Sequence, residues 1–132
     1  NSNIGGNNMK LYRCEICGNV ISHVKSSGVP VMCCGRKMQE MIPGTSDGAA
    51  EKHVPVIKQE GNKVIVEVGS VEHPMADVHY IEWIILETEK GVQRRNLLPG
   101  ELPRAEFMIA DDDKVVAAYE YCNLHGFWKA DK

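Results

Sequence analysis

Four cysteines crowd the start of the chain: Cys14-Glu15-Ile16-Cys17 and, after fifteen residues, the adjacent pair Cys33-Cys34. Thiolates are soft ligands suited to tetrahedral zinc or iron. Gly18 and Gly35 follow the two pairs and allow the tight backbone paths that gather sulfurs around one ion. Four unrelated reduced thiols in a small core are the competing reading, and the segment has little apolar material to make that core. A second Cys-x-x-Cys would be the ordinary arrangement, so two adjacent cysteines on one ion imply a distorted geometry. A second group lies further along. Cys122-Asn123-Leu124-His125 by itself reads more readily as a packed cysteine than as a ligand pair. Joined to Glu51-Lys52-His53-Val54-Pro55, His73-Pro74-Met75 and His79-Tyr80, it offers four imidazoles and one thiolate. That donor set is of intermediate softness, suits iron among several transition metals, and is one short of octahedral.

Composition narrows the chemistry. In 132 residues, 15 Lys and Arg face 18 Asp and Glu, for a formal charge of −3. Without clustered positive charge the chain is not expected to bind nucleic acid. No apolar run approaches the roughly 20 residues that span a bilayer, so no membrane segment is expected. Residues 1–8 lack the apolar core of a secretion signal, and Met9-Lys10 reads as a natural start. Residues 1–8 are therefore expected to be a foreign leader or disordered, and the protein cytoplasmic. In a reducing cytosol crowded thiols are metal ligands more readily than disulfides.

The small, turn-rich stretch from Pro43 to Ala50 separates two parts, with domains expected over residues 9–45 and 46–132. The first is shorter than the roughly 40 residues below which a metal, a disulfide or a partner is usually needed. The second carries β-type runs at Val54–Gln59, Lys63–Gly69, His79–Glu87, Val92–Leu98, Ala105–Ala110 and Lys114–Tyr121, divided by turn residues. Val64, Val66 and Val68 alternate with Lys63, Ile65 and Glu67, and His79 shares a face with Ile81, Trp83 and Ile85. The expectation is an all-β protein, a small metal domain followed by an antiparallel β-sandwich, with no long amphipathic helix.

The Cys-x-x-Cys and Cys-Cys pairs resemble desulforedoxin over about residues 10–45. From about Lys10 to Lys132 the sequence resembles the two-iron superoxide reductases, or desulfoferrodoxins, through Glu-Lys-His-Val-Pro at 51–55, His-Pro-Met at 73–75, His-Tyr at 79–80 and Cys-Asn-Leu-His-Gly at 122–126. The resemblance implies two irons. One, held by Cys14, Cys17, Cys33 and Cys34, transfers electrons, with zinc the alternative on ligand chemistry alone. The other sits in an immunoglobulin-like sandwich with His53, His73, His79 and His125 equatorial and Cys122 axial, leaving a position for superoxide. An anionic sulfur opposite that position pushes electron density toward the substrate. Glu51 is then suited to the sixth position of ferric iron, and Lys52 to attracting the anion, although alone the two would read as a solvated turn. A small donor such as rubredoxin and a homodimer are also implied. An electron carrier or metal-binding module without turnover, or a superoxide dismutase, are the alternatives.

Other residues receive plainer readings. His23 is expected at the surface, Met32, Met38, Met41 and Met108 as fillers of small cores, Trp83 in the core, and Tyr119 and Tyr121 at its edge. Trp128 is placed to shield the histidine site. Arg94-Arg95 and Asp111-Asp112-Asp113 read first as solvated charge. A calcium site on the three aspartates is the weaker reading, because they lack the spaced oxygens of a loop cage.

Overall fold

The computed structural model describes residues 9–45 and 48–132, so the expectation for residues 1–8 lies outside the described residues. The described chain falls into two compact units, residues 9–42 and Pro43–Lys132. As expected, both are built from antiparallel strands, and among the described residues no helix is long and apolar enough to cross a membrane.

The first unit is made of very short strands: β1 (Leu11–Arg13), β2 (Val20–Ser22), β3 (Met32–Cys33), β4 (Arg36–Lys37) and β5 (Gln39–Glu40). They form a three-stranded sheet in the order β2-β1-β5 and a β3-β4 hairpin. Leu11, Cys14 and Met38 are its buried apolar residues, while Ile16, Val24, Val29 and Met32 are exposed. Met32, 61% exposed on the two-residue strand β3, fills no gap. His23 is half-buried rather than free at the surface, with its ring edge-on to Tyr12 at 5.3 Å.

The second unit begins with a single helical turn, α1 (Ala50–His53), and continues through β6 (Pro55–Glu60), β7 (Lys63–Val68), β8 (Ile81–Thr88), β9 (Gly91–Asn96), β10 (Arg104–Met108), β11 (Val115–Cys122) and β12 (Gly126–Asp131). Two sheets, β10-β7-β6 and β12-β11-β8-β9, give the seven strands of an immunoglobulin-like sandwich. Val64, Val66 and Val68 point inward from β7 and meet Ile81, Ile84, Leu86, Ala118 and Cys122 of the other sheet in one core. Strands β8 and β11 are buried on both faces. On the second face Trp83 stacks on Tyr121 at 5.6 Å and Tyr119 on Phe127 at 5.6 Å.

Three details differ from the sequence reading. Strand β8 starts at Ile81, not His79, because the His79 backbone is bonded to Ala76 in a separate tight turn. Strand β12 was not anticipated, since Gly126 reads as the end of a strand when it is the left-handed residue, at φ +82°, that closes a hairpin. Met108 is 66% exposed on the outer face of β10. The aspartates after β10 engage protein donors. Asp113 accepts from the Thr88 hydroxyl at 2.7 Å and from the Lys90 and Lys114 N–H groups, Asp111 accepts from Asn62, and Asp112 pairs with Lys90.

Candidate metal centres

In the sandwich unit, three stretches converge at one end. The turn α1 carries His53, the connection between β7 and β8 carries His73 and His79, and the β11–β12 hairpin carries Cys122 and His125. A bulge between β8 and β11, where the register shifts between Tyr121 and Cys122, re-aims the strand end that bears the thiol. One potential ligand atom from each of the five residues lies within 4.8 Å of all the others. The four imidazoles close into a ring. His53 meets His73, His73 meets His79, His79 meets His125 and His125 meets His53, edge to face, at centroid separations of 4.6–5.0 Å. Cys122 belongs to the sandwich core, so its sulfur reaches the ring from the core side.

The hydrogen bonds around the ring fix which nitrogens face inward. A carbonyl oxygen can only accept, so His53 Nδ1 donates to Ala49 O at 2.8 Å and His73 Nδ1 to Pro74 O at 2.6 Å. In the neutral tautomers the two Nε2 lone pairs then face each other 3.2 Å apart. His79 Nε2 is buried without a partner among the described residues. His125 turns Nδ1 toward Cys122 Sγ at 3.8 Å. Burial holds His53, His73 and His79 below the ordinary imidazole range, His73 down to about 4, and pushes the Cys122 thiol up. Neutral imidazoles with converging lone pairs and a buried thiol form a site that a transition-metal cation completes. A bound cation would be held by the orphaned nitrogens and by the sulfur in its deprotonated form. The carbonyl partners on the outer nitrogens are the usual support of histidine ligands.

The surroundings hold the ring in place. The Trp128 ring stacks on His53 at 5.1 Å, and its Nε1 donates to His125 O at 3.0 Å, which agrees with the shielding expected of it. Gly48 lies so close that a Cβ there would stand 3.1 Å from His125 Cβ and 3.2 Å from His53 Cε1. Beneath α1, Glu51 O accepts from the Val71 N–H at 3.0 Å and the Ser70 hydroxyl at 3.3 Å. Gly69, at φ +81°, packs against the Glu51–Lys52 peptide, where an added Cβ would approach Glu51 O to 2.8 Å and Lys52 C to 2.7 Å. The α1 backbone is thus seated while the Glu51 and Lys52 residues remain exposed beside the ring. The Lys52 charge is one of the minor influences that lower His53 and His79.

Sequence reading passed over Glu120. It is fully buried two residues before Cys122, both carboxyl oxygens lack partners among the described residues, and burial pushes it up to about 9. A single carboxylate in a strand of apolar residues gives no signal of its own in sequence.

In the first unit the second donor group forms. Cys14, Cys17, Cys33 and Cys34 bring their sulfurs within 4.8 Å of one another, and all are free thiols. Cys14 is buried and accepts from the Ile16 N–H at 3.4 Å and the Cys17 N–H at 3.5 Å; the latter is the largest reason its thiol is lowered to about 6. Asn19 Nδ2 donates to Cys33 Sγ at 3.6 Å. Cys34 adopts a left-handed backbone, φ +53°, which allows adjacent cysteines to turn toward one site. Its thiol is pushed up to about 12, first by its hydrogen bond with Cys17. Four sulfurs with N–H donors on two of them fit a tetrathiolate metal.

Comparison with known proteins agrees with both sites. The family model described as "Desulfoferrodoxin" matches residues 45–131, and that described as "Desulfoferrodoxin, N-terminal domain" matches residues 6–41. The chain belongs to the desulfoferrodoxin family. A desulfoferrodoxin from Nitratidesulfovibrio vulgaris is 50% identical over 125 residues, covering 95% of this chain and 98% of that protein. A desulfoferrodoxin homologue from Archaeoglobus fulgidus is 48% identical over 122 residues, covering 92% of this chain and 96% of its own length. Among solved structures, the superoxide reductase from Treponema pallidum superposes with a TM-score of 0.80 at 37% identity, covering 95% of this chain and all of that one. The group of four histidines with one cysteine and the group of four cysteines correspond to the two iron sites of a desulfoferrodoxin.

Proposed function

We propose that this chain is a superoxide reductase: superoxide, one electron and two protons become hydrogen peroxide at iron held by His53, His73, His79, His125 and Cys122. What carries the proposal is the convergence of these five donors, from three separate stretches, within 4.8 Å. Iron in that set supplies a one-electron couple and a coordination position that the five donors leave open. The four-cysteine group holds a second iron as an electron-transfer centre.

The chain's own residues do the rest. Lys52 presents a cation next to His53 and draws the anionic substrate toward the exposed side of the imidazole ring. Glu51, on the same seated turn, would be the carboxylate available to a ferric ion held in this site, since a hard oxygen prefers the more highly charged ion. Trp128 and Gly48 exclude water from the flank of His53 and His125. In this assignment residues 9–45 form the electron-transfer domain and residues 46–132 the reductase domain. A small one-electron donor such as rubredoxin supplies the reductant. Homodimerisation is in keeping with the exposed Ile16, Val24, Val29 and Met32 on a unit with little core of its own. A cytoplasmic location suits five free cysteines.

The test is stoichiometric. Iron-loaded protein with reductant and rubredoxin should yield one peroxide per superoxide consumed and no dioxygen. A dismutase would release dioxygen and half the peroxide, and a carrier or binding module would give no peroxide above the blank. Either result overturns the proposal.

A further inference from the structure

One residue between two of the proposed ligands contributes no donor to the site and yet ties it together. Asn123 follows Cys122 directly, and its side chain reaches across to the other loop. Its Oδ1 accepts from the Tyr80 N–H at 2.9 Å, its Nδ2 donates to Val78 O at 3.1 Å, and its own N–H donates to Tyr80 O at 3.2 Å. These three bonds bracket His79 on both sides. The His79 backbone is committed elsewhere, donating to Ala76 O at 3.0 Å and accepting from the Ala76 N–H at 2.9 Å.

We propose that Asn123 is a positioning residue that sets His79 in register with Cys122 and His125, so that the β7–β8 connection and the β11–β12 hairpin present their ligands as one unit. The proposal rests on the assignment of the histidine and cysteine group as the iron site. Packing alone does not set this register at the tip of the loop. It reaches the base of the loop, where Met75 lies against the core and its sulfur accepts from the Ile81 N–H at 3.3 Å, but not the tip, where Ala76, Asp77 and Val78, the last 77% exposed, have no side chain in the core. Nor does His79 hold itself, since its buried Nε2 has no hydrogen-bond partner among the described residues to fix the ring. An amide is the side chain that fits, because the loop offers one donor and one acceptor two residues apart. Asp could take the Tyr80 N–H but would set a carboxylate against Val78 O, and Ala could do neither.

The test uses the full iron-loaded chain and the variants Asn123→Ala and Asn123→Asp. Three readouts are followed: iron loss from the histidine site to a ferrous chelator, the ferric thiolate absorption and magnetic resonance spectrum of that site, and hydrogen exchange at the Tyr80 amide. Asn123→Ala should lose that iron at least tenfold faster, within the range typical of lost support behind metal ligands. It should also alter the ferric spectrum and unprotect the Tyr80 amide. Asn123→Asp should keep Tyr80 protected and show a smaller acceleration, and the tetrathiolate iron should be unchanged in both. Parent-like iron loss and spectrum in Asn123→Ala would overturn the proposal. If Asn123→Ala fails to fold, parent-like values in Asn123→Asp overturn it equally. If the parent chain itself binds no iron among the histidines, the site assignment is what fails, and the clamp falls with it.

Discussion

Lys52 and Glu51 are exposed, charged residues next to His53, on a backbone pinned by Ser70 and Val71 at Glu51 O. A cation on a fixed turn attracts an anion over a distance that salt sets, about 10 Å at 0.1 M ionic strength. Replacing Lys52 by Ile should therefore slow the second-order reaction with superoxide by about tenfold at low salt and flatten its dependence on ionic strength. Pulse radiolysis over a salt series measures both, and an unchanged salt profile would exclude steering by this residue. At this scale the sequence was most legible where side-chain chemistry is distinctive. Cysteine and histidine at short spacings announce metal, and every one of the nine donors read that way lies in one of the two clusters. Glu120 and Asn123 were invisible for the opposite reason. A buried acid and a bonded amide are defined by their surroundings, and no spacing rule picks them out.

Among the elements, strands with clean alternation could be read directly, as with β7, whose three valines are buried and whose intervening residues are half-buried. Short connections could not. The turn α1 is only four residues long, too short to show helical periodicity, and it forms because Val54 N–H closes onto Ala50 O while Gly69 leaves room beneath it. The hairpin that presents Cys122 and His125 needs its left-handed residue at Gly126, a turn signal that also fits the end of the chain's last strand. Gly69→Ala tests the seat under α1. With backbone atoms of Glu51, Lys52 and Val71 within 2.6–2.8 Å of the new Cβ, the turn must move. The expected result is a loss of roughly 1–3 kcal/mol in stability together with a changed ferric spectrum of the histidine site and an unchanged tetrathiolate spectrum. Thermal unfolding and visible absorption check both, and a parent-like histidine-site spectrum would show that the seat does not position α1.

At the level of the whole molecule the two units differ in what holds each together. The sandwich has a continuous core drawn from both sheets, whereas the first unit buries little beyond Leu11, Cys14 and Met38. For so small a unit, metal binding is folding free energy. Stripping both irons with a chelator should abolish amide protection over residues 9–42 while strands β6 to β12 stay protected, and hydrogen exchange with mass spectrometry would show it. Equal protection of the first unit with and without metal would mean its strands stand unaided.

The sulfur of Cys122 has a consequence of its own. It is wholly buried behind the imidazoles, on the side away from solvent. Hydrogen peroxide is an oxidant of thiolates, and an enzyme that manufactures it at a sulfur-ligated metal risks destroying its own ligand. With four nitrogen heterocycles between the sulfur and the exit, the product departs past atoms that tolerate it. The sulfur of this site is left at the back of the chamber.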